Sequence, residues 1–284
     1  MQTFEGKIAV VTGAASGIGK GLAEKCLAEG MSVVMADIEE DVLTKVAREF
    51  QEAGNNNVLA VKTDVSILEE IENLKQKALD TFGAVHLLFN NAGVSAEGNA
   101  WEHTQQDWEW VMGVNLWSVV HGIRAFVPQM IEQGDECYIV NTASAAGLLG
   151  GSTNASYAVT KHGVVALTEI LYRDFASGDL NIGTSVLCPG FINTNIMDSA
   201  RNRQDRFADN REIIESEERA ANLALFAETL RNGMPPAELA DIVFTGIRKR
   251  QLYIQTHDMF NDMIMARAEN ITKGNNPDPG LSLG

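Results

Sequence analysis

Tyr157 and Lys161 stand four residues apart in Tyr157-Ala158-Val159-Thr160-Lys161, which puts a phenol and an ammonium on one face of a helix. An unperturbed tyrosine titrates at about 10, too high for a general base at neutral pH. A cation beneath the ring favours the phenolate and brings the group within range of proton transfer. Ser144, thirteen residues upstream at the end of a β-branched run, is placed to hold a substrate oxygen by hydrogen bond. Asn115, in Gly113-Val114-Asn115, can anchor a water beside Lys161 and link the site to solvent. A Tyr/Lys pair at this spacing is by itself common on exposed helices. It gains chemical meaning from a second constellation nearer the N-terminus.

That constellation begins with Thr12-Gly13-Ala14-Ala15-Ser16-Gly17-Ile18-Gly19, which follows the first strand-like run and opens the first helix-like one. Glycine there permits a tight turn, close approach of backbone to a pyrophosphate and close helix–strand packing. The helix N-terminus offers free N–H groups to the anion. A glycine triplet alone is a weak sign. Asp37, at the end of the second run, strengthens it, because a carboxylate there can bond both ribose hydroxyls of NAD and repels the 2′-phosphate of NADP. Neither Ser16 in the loop nor Ile38 after the aspartate supplies a basic clamp for that phosphate. Asp64-Val65 would place a carboxylate and an apolar side chain near an adenine, and Asn90-Asn91-Ala92-Gly93 would pass close under the cofactor. All four pieces fall at carboxyl ends of strand-like runs, where open α/β sheets bind ligands.

The elements needed to position these residues are legible. Strand-like runs at 7–12, 32–36, 58–63, 85–90, 137–142, 182–188 and 252–255 alternate with helix-length stretches at 18–29, 39–53, 67–82, 104–133, 155–177 and 236–248. Such alternation predicts βαβ units and a parallel sheet, and apolar runs without alternation suit strands covered on both faces. Residues 195–235 break the rhythm. They carry Arg201, Arg203, Asp205, Arg206 and Asp209 among many charges, and read as an inserted helical flap. Its mixed-sign charge favours a solvated, salt-bridged surface over arginines aimed at substrate.

The chain has 284 residues and a formal net charge of -16. A balance this acidic, without a basic stripe, argues against nucleic acid and against an anionic membrane surface. No apolar run reaches the roughly 20 residues of a membrane span, and the first seven residues leave no room for a secretory signal. Cys26, Cys137 and Cys188 are an odd number with no metal-like spacing, and the five histidines are dispersed. We expect buried thiols in a reducing cytoplasm and no metal site. Cys188 reads as a small buried thiol, His162 as a packing residue, and Trp117 as part of a helix interface.

Taken together, Thr12–Gly19, Asp37, Asp64-Val65, 90–93, Asn115, Ser144, Tyr157/Lys161 and Pro189-Gly190-Phe191-Ile192-Asn193-Thr194 resemble the short-chain dehydrogenase/reductase family in kind and order. The resemblance implies a Rossmann-type, doubly wound, seven-stranded parallel sheet of order 3-2-1-4-5-6-7 with helices on both faces. It implies a Ser–Tyr–Lys–Asn site, hydride transfer without metal, and Pro189, Gly190, Ile192 and Thr194 beside the nicotinamide, the last two at its carboxamide. The C-terminal third departs from the common pattern, with an extra helix expected at 257–272 and a tail at 273–284. Together with Gly113–Met130, this end is similar to the branch that oxidises benzylic alcohols of lignin-type aryl ethers. The expected organisation is one dehydrogenase domain over 1–272, with 195–235 as a substrate lid, in a homo-oligomer, either dimer or tetramer. The function this implies is an NAD-dependent oxidoreductase for a medium-sized, apolar or aromatic secondary alcohol or ketone. The rival readings are an NADPH-dependent carbonyl reductase, which Asp37 opposes, and a non-catalytic dinucleotide sensor, which has no use for Asn115, Ser144, Tyr157 and Lys161 together.

Overall fold

A computed structural model of the chain describes residues 1–150, 154–209 and 217–277. Strands β1 (Ile8–Thr12), β2 (Ser32–Asp37), β3 (Val58–Lys62), β4 (Leu87–Asn90), β5 (Cys137–Thr142), β6 (Ile182–Cys188) and β7 (Tyr253–Gln255) form one parallel sheet. Its order is β3-β2-β1-β4-β5-β6-β7, as the family resemblance implied. Between the strands run α1 (Gly17–Ala28), α2 (Glu40–Glu52), α3 (Leu68–Phe82), α4 (Gln105–Met112), α5 (Ser118–Gln133), α6 (Ala155–Ser177), α7 (Glu217–Arg231) and α8 (Pro236–Arg248). A last helix, α9 (Asn261–Lys273), follows β7, starting inside the expected extra-helix stretch 257–272 and ending one residue beyond it. No helix among the described residues is long and apolar enough to cross a membrane.

The strands are apolar throughout because each face of the sheet meets helices, and successive side chains point to opposite faces. Ala9, Val11, Val33 and Met35 pack with Leu22 and Cys26 of α1, Phe50 of α2 and Phe244 of α8. Val10, Val34 and Ala36 face the other way, into a core built with Leu74 of α3, Phe126 of α5 and Phe175 of α6. A buried polar chain crosses the second core: Asn90 donates to Asn141 at 2.9 Å, and Asn141 donates to Thr168 of α6 at 3.1 Å. It ties the ends of β4 and β5 to the helix that carries Tyr157.

Three local expectations are corrected. The stretch 104–133 is not one α-helix: a π turn over Gly113–Trp117 separates α4 from α5, and Asn115 lies in it. Ser144 stands two residues past β5 and caps the short 3₁₀ turn Ala145–Gly147 rather than ending the strand. Trp117 is half exposed on this chain, whereas Trp110 is the buried indole. The flap of 195–235 begins with 3₁₀ turns at Ile196–Asn202 and Asp205–Phe207 and ends with α7. Its residues Arg211, Glu212, Ile213, Ile214 and Glu215, like tail residues 278–284, lie outside the described residues.

Candidate active site

The glycine loop joins β1 to α1 where backbone must approach backbone. Gly13 has φ +68°, and a Cβ there would stand 2.9 Å from the Cα of Ala92. A Cβ on Gly19 would stand 2.0 Å from the carbonyl oxygen of Gly13, so only glycine lets the helix start this close to the loop. Thr12 locks this junction to the end of β4, its hydroxyl accepting from the N–H groups of Asn91 at 2.9 Å and Ala92 at 3.1 Å. The result is a cradle of backbone beneath Asn91, Ala92 and Gly93 that no larger residue could occupy.

Asp37 closes the next stretch of the cradle. Its carboxylate accepts from Ala15 N at 2.9 Å and from Glu39 N at 3.1 Å. Burial pushes this carboxyl upward, and the two backbone hydrogen bonds oppose the shift. Asp64 accepts from Ser66 N and Ser66 Oγ, at 3.0 Å and 2.6 Å, and pairs with Arg206 at 2.6 Å. Its partner Arg206 comes from the flap, a contact that sequence reasoning did not find.

Tyr157 and Lys161 lie in the first turns of α6, which Asn154 caps by accepting from Tyr157 N at 3.2 Å. Asn154 also donates to Ser95 Oγ, which ties the start of α6 to the loop after β4. Lys161 is 2% exposed; its Nζ lies 5.4 Å from the Tyr157 ring centre and donates to the Thr142 carbonyl at 2.9 Å. Burial pulls this ammonium down to about 8. Burial pushes the Tyr157 phenol up, opposed by a hydrogen bond with Ser144. Ser144 Oγ in turn accepts from Ala146 N at 3.1 Å, which fixes the hydroxyl on the side of the tyrosine.

Asn115, expected to anchor a water beside Lys161, has its side chain held by protein groups near that lysine. Its carbonyl oxygen accepts from Val94 N at 2.8 Å, and its amide donates to Val94 O at 2.9 Å and to Thr160 at 3.3 Å. The side chain is therefore spent on pinning the backbone beside Gly93. A Cβ on Gly93 would lie 3.5 Å from Lys161 Nζ and 3.6 Å from Asn115 Oδ1, so that glycine is the spacer between the two.

One cavity of about 1180 Å³ unites these groups. Gly13, Ser16, Gly17, Ile18, Gly19, Asp37, Ile38, Asp64 and Val65 line one end; Asn91, Ala92, Gly93, Ser144, Tyr157 and Lys161 line the middle. Pro189, Gly190, Ile192 and Thr194 complete that wall, so every expected site residue except Asn115 faces the cavity. Its volume exceeds the roughly 300–1,000 Å³ of a single-ligand pocket, leaving room for a dinucleotide and a second molecule. The far end is aromatic: Phe191 packs with Phe226 at 6.0 Å and with Phe260 at 5.7 Å, and all three line the cavity.

Several wall residues escaped the sequence reading. An asparagine directly before a helix is a recognisable cap, so Asn154 had a signal. Glu39, Arg201 and Phe260 had none, since each gains its place only through folding. The plainer readings of other candidates agree with the geometry. Cys188 is buried, with its thiol pushed up to about 12, and His162 Nδ1 faces the Ala158 carbonyl of its own helix at 2.9 Å.

The chain as a whole has counterparts among known proteins. Residues 7–205 match the family model described as short chain dehydrogenase. A CLA biosynthesis dehydrogenase/reductase of Lactiplantibacillus plantarum is 33% identical over 279 residues, 98% of this chain and 97% of that protein. A 3beta-hydroxysteroid dehydrogenase 2 of Eggerthella lenta is 37% identical over 202 residues, 71% of this chain and 76% of that one. Among solved structures, a short-chain dehydrogenase/reductase of Burkholderia phymatum in complex with NAD superposes with a TM-score of 0.95 at 40% identity, covering 100% of both chains. With its sheet order, its glycine cradle and these relatives in agreement, the chain belongs to the short-chain dehydrogenase family.

Proposed function

We propose that the protein is an NAD-dependent oxidoreductase that interconverts a secondary alcohol and its ketone, with Tyr157 as the proton-transfer group. The observation that carries this reading is the convergence of Ser144, Tyr157 and Lys161 on the cavity that Asp37 and the glycine cradle line further along. The cradle fits a dinucleotide, since Gly13 and Gly19 leave free the space that a Cβ would fill, and Asp37 offers a carboxylate to ribose hydroxyls. When bound, NAD supplies the acceptor for the hydride that leaves the carbinol carbon. Tyr157 takes the hydroxyl proton, and Ser144 holds the oxygen that becomes the carbonyl. Lys161 favours the phenolate while it is protonated, and its bond to Thr142 keeps it under the ring. Asn115 acts through Val94, holding the floor beside Gly93 in register with Lys161.

The aromatic end formed by Phe191, Phe226 and Phe260 supports a medium-sized, apolar or aromatic substrate. The NAD complex of the Burkholderia phymatum relative and the dehydrogenase names of the curated relatives support the NAD-dependent oxidoreductase reading. A screen of secondary alcohols, benzylic ones included, should give NADH at mildly alkaline pH, with NADP a much poorer acceptor. No reduction of NAD by any of them, or a preference for NADP, would overturn the proposal.

A further inference from the structure

The chain leaves β6 on one side of the sheet and reaches the loops that follow β2 and β3 on the other. Arg201 carries the first contact, with Nε 3.2 Å and Nη2 3.0 Å from the two oxygens of Glu39. Arg206 carries the second, donating from Nη2 to Asp64 at 2.6 Å and to Ser66 Oγ at 2.8 Å. Between them Arg203 pairs with the buried Asp107 of α4 at 2.7 Å and lies 5.3 Å from the Trp110 ring. Residues 196–207 therefore reach from the end of β6 to the loops after β2 and β3, and are fastened at Arg201, Arg203 and Arg206. They start against the glycine cradle, because a Cβ on Gly17 would stand 3.1 Å from the Thr194 methyl. Ile196, Ser199, Arg201, Asn202 and Gln204 face the same cavity as Asp37.

We propose that residues 196–207 form a strap over the adenosine half of the dinucleotide, buckled by Arg201–Glu39 and Arg206–Asp64, and that cofactor release requires both buckles to open. This rests on the reading that the cleft takes NAD. The buckles differ from the Arg203 anchor in the one respect that matters for opening. Their arginines are 28% and 43% exposed, against 19% for Arg203, whose partner carboxylate is 1% exposed. Ion pairs whose arginine is partly exposed, here with Glu39 22% and Asp64 9% exposed, are weaker one at a time than a fully buried pair and are screened by salt, which suits a contact that must open on each turnover. The strap also accounts for the arginines of this segment, which spend their charge on five carboxylates of the protein, Glu39, Asp64, Asp107, Asp198 and Asp209, rather than on an anionic substrate.

Release can be timed directly. NADH is bound to the protein, excess NAD is added in a stopped-flow cell, and the loss of enhanced NADH fluorescence is followed. In the parent, release should quicken as salt rises to about 0.5 M, since the buckles are screened. Arg201→Gln with Arg206→Gln should release NADH about tenfold faster than the parent at low salt, with that salt dependence largely gone. Glu39→Gln alone, a near-isosteric change on a carboxylate 22% exposed, guards against a fault in folding and should give part of the acceleration. Glu39→Arg combined with Arg201→Glu should restore slow release. Unchanged release in the double variant and in Glu39→Gln would overturn the strap, as would an effect confined to the KM for alcohol. A parent that binds no NADH would instead sink the reading of the cleft.

Discussion

Lys161 donates from its buried ammonium to the backbone carbonyl of Thr142 at 2.9 Å, joining α6, the helix that carries Tyr157, to the end of β5. The charge is costly there, since burial pulls its pKa to about 8 from an ordinary 10.5. The unfolded chain binds this proton more tightly than the native one, so stability rises with pH from about 8 to about 10.5. Lys161→Met removes the charge with little change of volume. It should be inactive yet about 1–2 kcal/mol more stable at pH 7, once the lost bond to Thr142 is set against the shift. The gain should shrink above pH 8, and urea midpoints at pH 7 and about 9.5 will read it.

Tyr157→Phe removes the proposed proton acceptor and leaves the ring in place. Turnover should fall by about a thousandfold or more, in line with loss of an acid–base group, while NADH still binds with near-parental affinity. Because burial holds this phenol high, alcohol oxidation by the parent should climb with pH above neutrality. Ketone reduction should fall over the same range. Turnover of the variant within tenfold of the parent, or a flat oxidation profile, would remove Tyr157 from the reaction.

Asp37 has a structural burden besides the cofactor role proposed for it, since it accepts from Ala15 N and Glu39 N. Asp37→Ala should therefore narrow the preference for NAD over NADP and cost about 1–3 kcal/mol of stability through the orphaned N–H groups. Dissociation constants for both reduced cofactors, with melting curves, will separate the two effects. A parent that already prefers NADP would refute the role given to Asp37.

How far the sequence reveals this site follows from what each residue depends on. Gly13 and Gly19 are legible because close backbone approach admits only glycine. Asp37, Tyr157 and Lys161 are legible because their chemistry needs those types at those places in the βαβ alternation. The strap is not legible in its contacts: Arg201 meets Glu39 across 162 positions and Arg206 meets Asp64 across 142. Local periodicity holds no trace of either pairing. The π turn at Gly113–Trp117 is hidden for another reason. It leaves the apolar pattern of 104–133 helical throughout while rotating Asn115 onto Val94.

Val159 and Ile170 of α6 are 50% and 53% exposed, and Trp117 beside them in the helix layer is 51% exposed. Eleven residues separate the first two, about three helical turns, so they share a face. An apolar stripe of this kind suits a two-fold contact with a second copy. Light scattering should give at least a dimer, and Val159→Arg with Ile170→Glu should shift it toward monomer. A parent that stays monomeric at every concentration would count against this.

The two parts of 195–235 should respond to different ligands. The strap of 196–207 meets the loops beside Asp37 and Asp64, whereas α7 meets the aromatic end through Phe226 against Phe191 at 6.0 Å and through buried Leu230. Leu223 and Leu225 line the cavity as well, although Leu225 is 65% exposed on the free chain. An apolar side chain at the mouth of a cavity gains most from closure when a substrate fills the space below it. Exclusion of water there also favours hydride transfer over side reactions. Hydrogen exchange followed peptide by peptide can separate the two responses. Amides of 196–207 should gain protection with NAD alone, and those of α7 only when a non-reacting alcohol analogue is added. Protection of α7 that is the same in the free, NAD-bound and ternary states would remove the lid role from this helix, and Leu225→Asp, which leaves Phe226 and Leu230 untouched, should lower the extra protection in proportion to a raised KM for alcohol.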